Sequence, residues 1–175
     1  ILIRLFNIGV NDRFETLVAP HKFRTQAIVK EIEETKKHRV QTGLYNYNKR
    51  EAFYRTTDVN NPQNPPKEII LKLEDGAMDL LAAFYFVRMQ NLPDGAMLKF
   101  PLIFDAERVD FDLLVLGREE VSTDLGKFKT IKVQPNLFGP GRLIAKEGEV
   151  FMWLTDDAAR VPVKITVKSS GATIN

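Results

Sequence analysis

"QAIVKEIEETKKHRV", Gln26 to Val40, is the stretch on which the fold class turns. Its Lys and Glu content and the Ile28-to-Ile32 spacing suit a helix, because residues four apart share one helical face. Ile28 to Val40 can also be two strands, but these would need a turn at "ETKK", residues 34–37, with neither Gly nor Pro to form it. Local chemistry leaves both possibilities open.

On the N-terminal side, "ILIRLFNIG" (1–9) and "RFETLVA" (13–19) are short apolar or alternating runs broken by Gly9 and "VND". Strands separated by turns have this form. On the C-terminal side, "TGLYNYNKREAFYRTTD" (42–58) sets aromatic segments between Gly43 and Asn48-Lys49, as a hairpin would. Three prolines and three asparagines make "VNNPQNPPKE" (59–68) a surface loop.

One helix is expected in "DGAMDLLAAFYFVRMQNLPDG" (75–95), capped by Asp75 or Asp79 and ended by Pro93 and Gly95. Leu80, Leu81, Phe84, Tyr85 and Val87 cover most of its circumference, which predicts burial against a sheet. Everything after it reads as strand. In "VDFDLLVL" (109–116) Val109, Phe111, Leu113 and Val115 alternate with Asp110 and Asp112, the period of a half-buried strand. "GKFKTIKVQP", "RLIAKEGEVFMWLT" and "VPVKITVK" continue the pattern, with turns at Gly126 and "FGPG". The expected class is therefore mainly β (α+β), an antiparallel meander with one helix packed on it, in a single domain over residues 1–175.

Composition narrows the function. The 25 basic and 23 acidic residues nearly cancel, leaving no field for a polyanion or an anionic membrane. The absence of Cys excludes disulfides, cysteine-ligated metals and a cysteine nucleophile. No apolar run approaches the roughly 20 residues that span a bilayer. His21 and His38 stand apart with no H-E-x-x-H, there is no G-x-S-x-G, and "GPGR" (139–142) lacks a phosphate loop's context. Neither a metal, a cofactor nor a catalytic residue is expected.

Three adjacent acid pairs occur, Glu33-Glu34, Glu119-Glu120 and Asp156-Asp157. Neighbours on a strand point to opposite faces, and the two aspartates fall in an expected turn, where they accept backbone N–H bonds. "KKHR" (36–39) with Lys49, Arg50, Tyr45, Tyr47 and Tyr54 has the elements of a nucleic-acid surface. Glu31, Glu33 and Glu34 oppose it, and no nucleic-acid partner is expected. What is left is apolar surplus: Phe151 and Trp153 on one strand face, Met152 and Leu154 on the other, and a helix apolar nearly all round. A curved sheet wrapping the helix would bury it, with a hydrophobic ligand on the concave side or with a simple filled core.

The order of motifs "MDLLAAFYFVR", "LPDGAMLKFPLIFDAERVDFDLLVLGREEVSTDLGKFKTIKVQP" and "VFMWLTDDAARVPVKITVKSSG" resembles the bacterial family catalogued as domain of unknown function 3108. The resemblance rests on Asp79 opening the helix, Arg88 ending it, the "GREEV…LGKFKTIKV" centre and the "WLTDD…RVPV" hairpin. It implies an exported, periplasmic or envelope-associated protein without assigned activity. It also implies a strongly curved antiparallel sheet or half-barrel around the helix, similar to lipoprotein carriers, and it tips residues 26–43 toward two long strands. A leader before Ile1 and a further strand after Asn175 are expected from it as well.

The first function expected for such a protein is non-enzymatic binding of a lipid-like or other apolar molecule, or of an envelope partner, on the concave face, with Phe84, Tyr85, Arg88 and Trp153 as the candidate lining residues. Arg88 would meet an acidic headgroup, or else a carboxylate such as Asp79 or Glu119. The alternatives are a structural or protein-interaction module of the cell envelope with a filled core, and an envelope hydrolase acting through Asp156 or Asp157.

Overall fold

Residues 26–34 and 37–40 fall in two strands. The computed structural model of the chain describes residues 11–21, 23–34, 37–140, 142–144, 147–169 and 172–174, so the expected strand at "ILIRLFNIG" lies outside the described residues. Strand β2 (Arg24–Glu34) turns Ile28, Lys30 and Ile32 inward and is hydrogen-bonded on one side to β1 (Arg13–Ala19) and on the other to β3 (Lys37–Asn46). Helical propensity of Lys and Glu is worth tenths of a kcal/mol per residue. Two ladders of backbone bonds and three inward side chains outweigh it.

β4 (Glu51–Asp58) and β5 (Lys67–Lys72) complete a five-stranded antiparallel sheet in the order β1-β2-β3-β4-β5. The expected hairpin is β3–β4, turning at residues 47–50, and the Pro-Asn stretch is the loop before β5. Gly43 is not at a turn but in mid-strand. A Cβ there would lie 2.8 Å from Ile28 and from the Tyr54 ring, so glycine lets that ring lie flat against the sheet.

The second sheet has seven strands in the order β12-β11-β10-β9-β8-β7-β6: β6 (Met78–Asp79), β7 (Met97–Phe104), β8 (Glu107–Thr123), β9 (Gly126–Pro135), β10 (Gly148–Thr155), β11 (Pro162–Ser169) and β12 (Ala172–Ile174). The short β6–β7 ladder is parallel, whereas β8–β9, β9–β10, β10–β11 and β11–β12 are antiparallel. Neither sheet closes on itself. Among the described residues the fold is mainly β with one helix, α1 (Leu80–Arg88).

The chain divides into two compact units, residues 1–84 with 102–108, and residues 85–101 with 109–175. In the first, Ile28, Tyr45, Ala52, Tyr54, Leu73, Ala77, Ile103 and Ala106 form the core. Tyr45 and Tyr54 share a hydroxyl–hydroxyl bond of 2.6 Å, and the Tyr47 hydroxyl donates to the Ala77 carbonyl at 3.0 Å. Burial is the main reason the phenols of Tyr45 and Tyr54 are pushed well above their ordinary range and that of Tyr47 up to about 12.

Of the two possible caps Asp79 is the one used. It is 4% exposed, and its Oδ1 accepts from the Leu81 and Ala82 N–H groups at 2.9 and 3.2 Å and from the Thr16 hydroxyl at 2.8 Å. Its Oδ2 accepts from Thr25 at 2.7 Å. A buried carboxylate is tolerated here because each oxygen has donors. The helix is not buried all round as its composition predicts: Leu81 and Tyr85 are exposed while Ala82, Ala83 and Val87 face inward.

In the second unit Phe86 meets Phe100 edge-on at 5.6 Å between ring centres, and Phe100 meets Phe111 at 4.9 Å. Phe111, Leu113 and Val115 of β8 share a buried face with Ile131 and Val133 of β9 and Val150 and Leu154 of β10. Asp110 and Asp112 point the other way, as their alternation predicts.

Candidate functional site

The residues with most chemistry in the second unit lie on the opposite face of its sheet, away from that core. Trp153 and Phe151 alternate outward on β10, with ring centres 6.5 Å apart. Register sets Lys132 of β9 and Lys164 of β11 beside Trp153. Lys132 lies 5.0 Å from the centre of the Trp153 ring system and 5.3 Å from that of Phe151, Lys164 lies 5.0 Å from Trp153, and Lys168 5.3 Å from Phe151. The lysine ammonium groups thus lie over the rings, where the π faces attract their charge. Trp153 is 6% exposed although it lies on the face opposite Val115, Val133 and Leu154.

Glu119 completes this strip. It accepts from the Trp153 indole N–H at 2.5 Å and lies 3.5 Å from Lys132. The indole bond first, and Lys132 with it, holds the Glu119 carboxyl below its ordinary range. A β-bulge explains how Glu119 reaches that face. Between Val115 and Gly117 the β8–β9 register slips by one residue, and Gly117 adopts φ +144°, which favours glycine. Val115 opposes buried Val133, but after the slip Glu119 opposes Thr130 on the outward side.

Next to the strip is a cleft of about 290 Å³. Met97, Leu114, Pro135 and Leu137 give it apolar lining, and Asp112, Gln134, Asn136 and Glu149 polar lining. Gln134 is two residues from Lys132 on β9 and Glu149 two from Phe151 on β10, so cleft and strip are continuous on one face. Arg142 is bonded to Asp112 at 2.8 Å and to the Asp110 carbonyl at 2.7 Å, which ties one of the two carboxylates into the wall.

Of the four residues expected to line a ligand surface, Phe84 belongs to the first unit and Tyr85, Arg88 and Trp153 to the second. Tyr85 and Arg88 are together, the guanidinium 5.1 Å from the phenol ring centre, and Arg88 donates to the Ala159 carbonyl at 2.7 and 3.3 Å rather than to Asp79 or Glu119. Phe84 is half-buried on the same helix. Trp153 stands on the other side of the second unit's sheet from Phe86, Phe100 and Phe111.

The adjacent aspartates are turn residues. Asp157 accepts from the Thr155 hydroxyl at 2.8 Å and from the N–H groups of Ala159 and Arg160 at 2.9 and 3.0 Å, with Thr155 first among the causes that hold its carboxyl below the ordinary range. Asp156 pairs with Arg118 at 3.1 Å, and Arg118 also binds Asp94. In the first unit His38 faces Glu31 at 3.3 Å, and Tyr45 and Tyr54 are buried, so their ring faces are not offered to a nucleobase. There too, buried Lys30 is paired with Asp105 at 3.0 Å and lies 4.1 Å from the Phe104 ring centre, a charge matched inside the fold.

Sequence reasoning finds Trp153 but not its lysines or Glu119. Alternate Lys164 and Lys168 on one strand are a visible clue, whereas the bulge that turns Glu119 outward is not. Among the described residues no helix is long and apolar enough to cross a membrane. Comparison with curated proteins and with solved structures gives no match. The family model described as "Protein of unknown function (DUF3108)" matches residues 2–172, which is nearly the whole chain, and the chain therefore belongs to that family.

Proposed function

We propose that the chain is a non-enzymatic binding protein of the bacterial periplasm or cell envelope, and that it takes a small amphipathic ligand in the cleft beside the lysine-covered strip. Export is what the motif resemblance implies. The carrying observation is the cleft itself: about 290 Å³, with Met97, Leu114 and Leu137 offering apolar contact next to Lys132 and Lys168. Ligand pockets run from about 300 to 1,000 Å³, so this volume suits one ring or one chain end rather than a whole diacyl lipid. An apolar group would enter the cleft and an acidic group would meet the lysines.

The test is a thermal-shift titration with a fatty acid, run beside mass spectrometry of an organic extract of the protein purified from a bacterial periplasm. A bound acyl species and a raised melting temperature, lost in Leu114→Phe, are expected. An empty extract with a flat titration would leave the structural or protein-interaction module in its place. That second reading is favoured by one observation, the filled inward face on which Val115, Val133, Ile131 and Leu154 are fully buried.

A further inference from the structure

The outward face of the five-stranded sheet carries a row of apolar side chains that crosses every strand. Register aligns Leu17 with Ala27, Ala27 with Leu44, Leu44 with Phe53, and Phe53 with Ile70. Directly opposed residues of antiparallel strands point to the same side. The row one step away, Thr16, Ile28, Gly43, Tyr54 and Ile69, faces the core. Leu17 is 64% exposed, Leu44 57% and Ile70 67%. With strands about 4.8 Å apart the stripe is roughly 20 Å long.

Charged residues flank it in a specific order. On one side stand Glu15, Val29, Thr42, Arg55 and Glu68, and on the other Asn46, Glu51 and Lys72. We propose that this face is a self-association surface, on which a second copy of the chain packs about a two-fold axis running along the stripe. Such an axis keeps each strand over its own copy and exchanges the two flanks. Arg55 then faces Glu51 of the partner subunit, and Glu68 faces Lys72 of the partner subunit, each contact occurring twice. An axis along the strands would instead set Glu15 over Glu68 of the partner subunit, a juxtaposition of like charges.

Charge order therefore selects one symmetric arrangement, in which the apolar stripes cover each other and the flanks are complementary. The patch is of modest size. Three rows on five strands bury on the order of 1,000 Å² across both copies, near the lower bound of specific interfaces, so a micromolar equilibrium is expected rather than a permanent dimer.

Sedimentation velocity of the full chain over a concentration series tests this. The unmodified chain is expected to shift from monomer to dimer, and Leu44→Glu and, independently, Ile70→Lys to stay monomeric with an unchanged circular dichroism spectrum. Arg55→Glu should raise the dissociation constant about tenfold by placing like charges opposite each other. Adding Glu51→Arg to Arg55→Glu should restore it. A chain that stays monomeric throughout, a dimer indifferent to both stripe variants, or a double variant no tighter than the single one would each overturn the proposal.

Discussion

The outward faces of the two sheets finish their apolar residues in different ways. On the second unit Phe151 and Trp153 point away from the core, yet Lys132, Lys164 and Lys168 from neighbouring strands lie against the rings, and Glu119 takes the indole N–H. On the first unit Leu17, Leu44 and Ile70 also point away from the core, flanked by Glu, Thr and Arg, and they remain open. Length and charge of the cross-strand neighbours make the difference. A lysine ammonium group can lie over a ring, and the π face attracts its charge. Leu44 is opposed instead by Ala27 and Phe53, neither of which brings a charge over it.

The first way to probe this contrast is from beneath the open face. Asp79→Ala removes the cap of α1 and leaves the buried Thr25 hydroxyl without its acceptor. A loss of about 3 kcal/mol is expected, about 1 from the cap and about 2 from the stranded hydroxyl, seen as a lower urea midpoint. Next, Trp153→Ala should cost about 3 kcal/mol although its side chain points outward, because it is covered on all sides. Leu44→Ala, measured where the chain is monomeric, should cost under about 0.5 kcal/mol. Equal costs would mean that the two faces are not different in kind.

Lys132→Ala uncovers both rings at once and should cost about 1 kcal/mol. As Trp153 is the chain's one tryptophan, its emission reports this directly and should move to longer wavelength. The smallest effect is that of acid. Glu119 has a folded-state pKa below its ordinary value of about 4.3, so its contribution is present above that value and is lost as pH falls through the lower folded one. Trp153 emission should change in that acid range and not near neutrality. In Glu119→Gln, which keeps an acceptor but no titrating group, the step should vanish.

The strands of the second half are legible in the sequence because alternation is strict. Val109, Phe111, Leu113 and Val115 against Asp110 and Asp112 leave one way to place a buried face. Gln26–Val40 is less so, since charge content mimics a helix and only the ladders to β1 and β3 settle it. Asp79 as a cap and the Asp156-Asp157 turn follow from local chemistry. Leu81 and Tyr85 at the surface do not, because composition gives a helix's apolar arc but not how much of that arc finds a partner. The lysine-covered strip and the apolar stripe depend on register across several strands, and one bulge at Leu116 decides which way Glu119 points.

The contrast between the faces is tested most directly by hydroxyl-radical footprinting of the native chain at low and high concentration, read by mass spectrometry. Trp153 and Phe151 should be poorly labelled at both, whereas Leu44, Phe53 and Ile70 should be labelled when dilute and protected when concentrated. Strong labelling of Trp153, or labelling of Leu44, Phe53 and Ile70 that does not change with concentration, would contradict it.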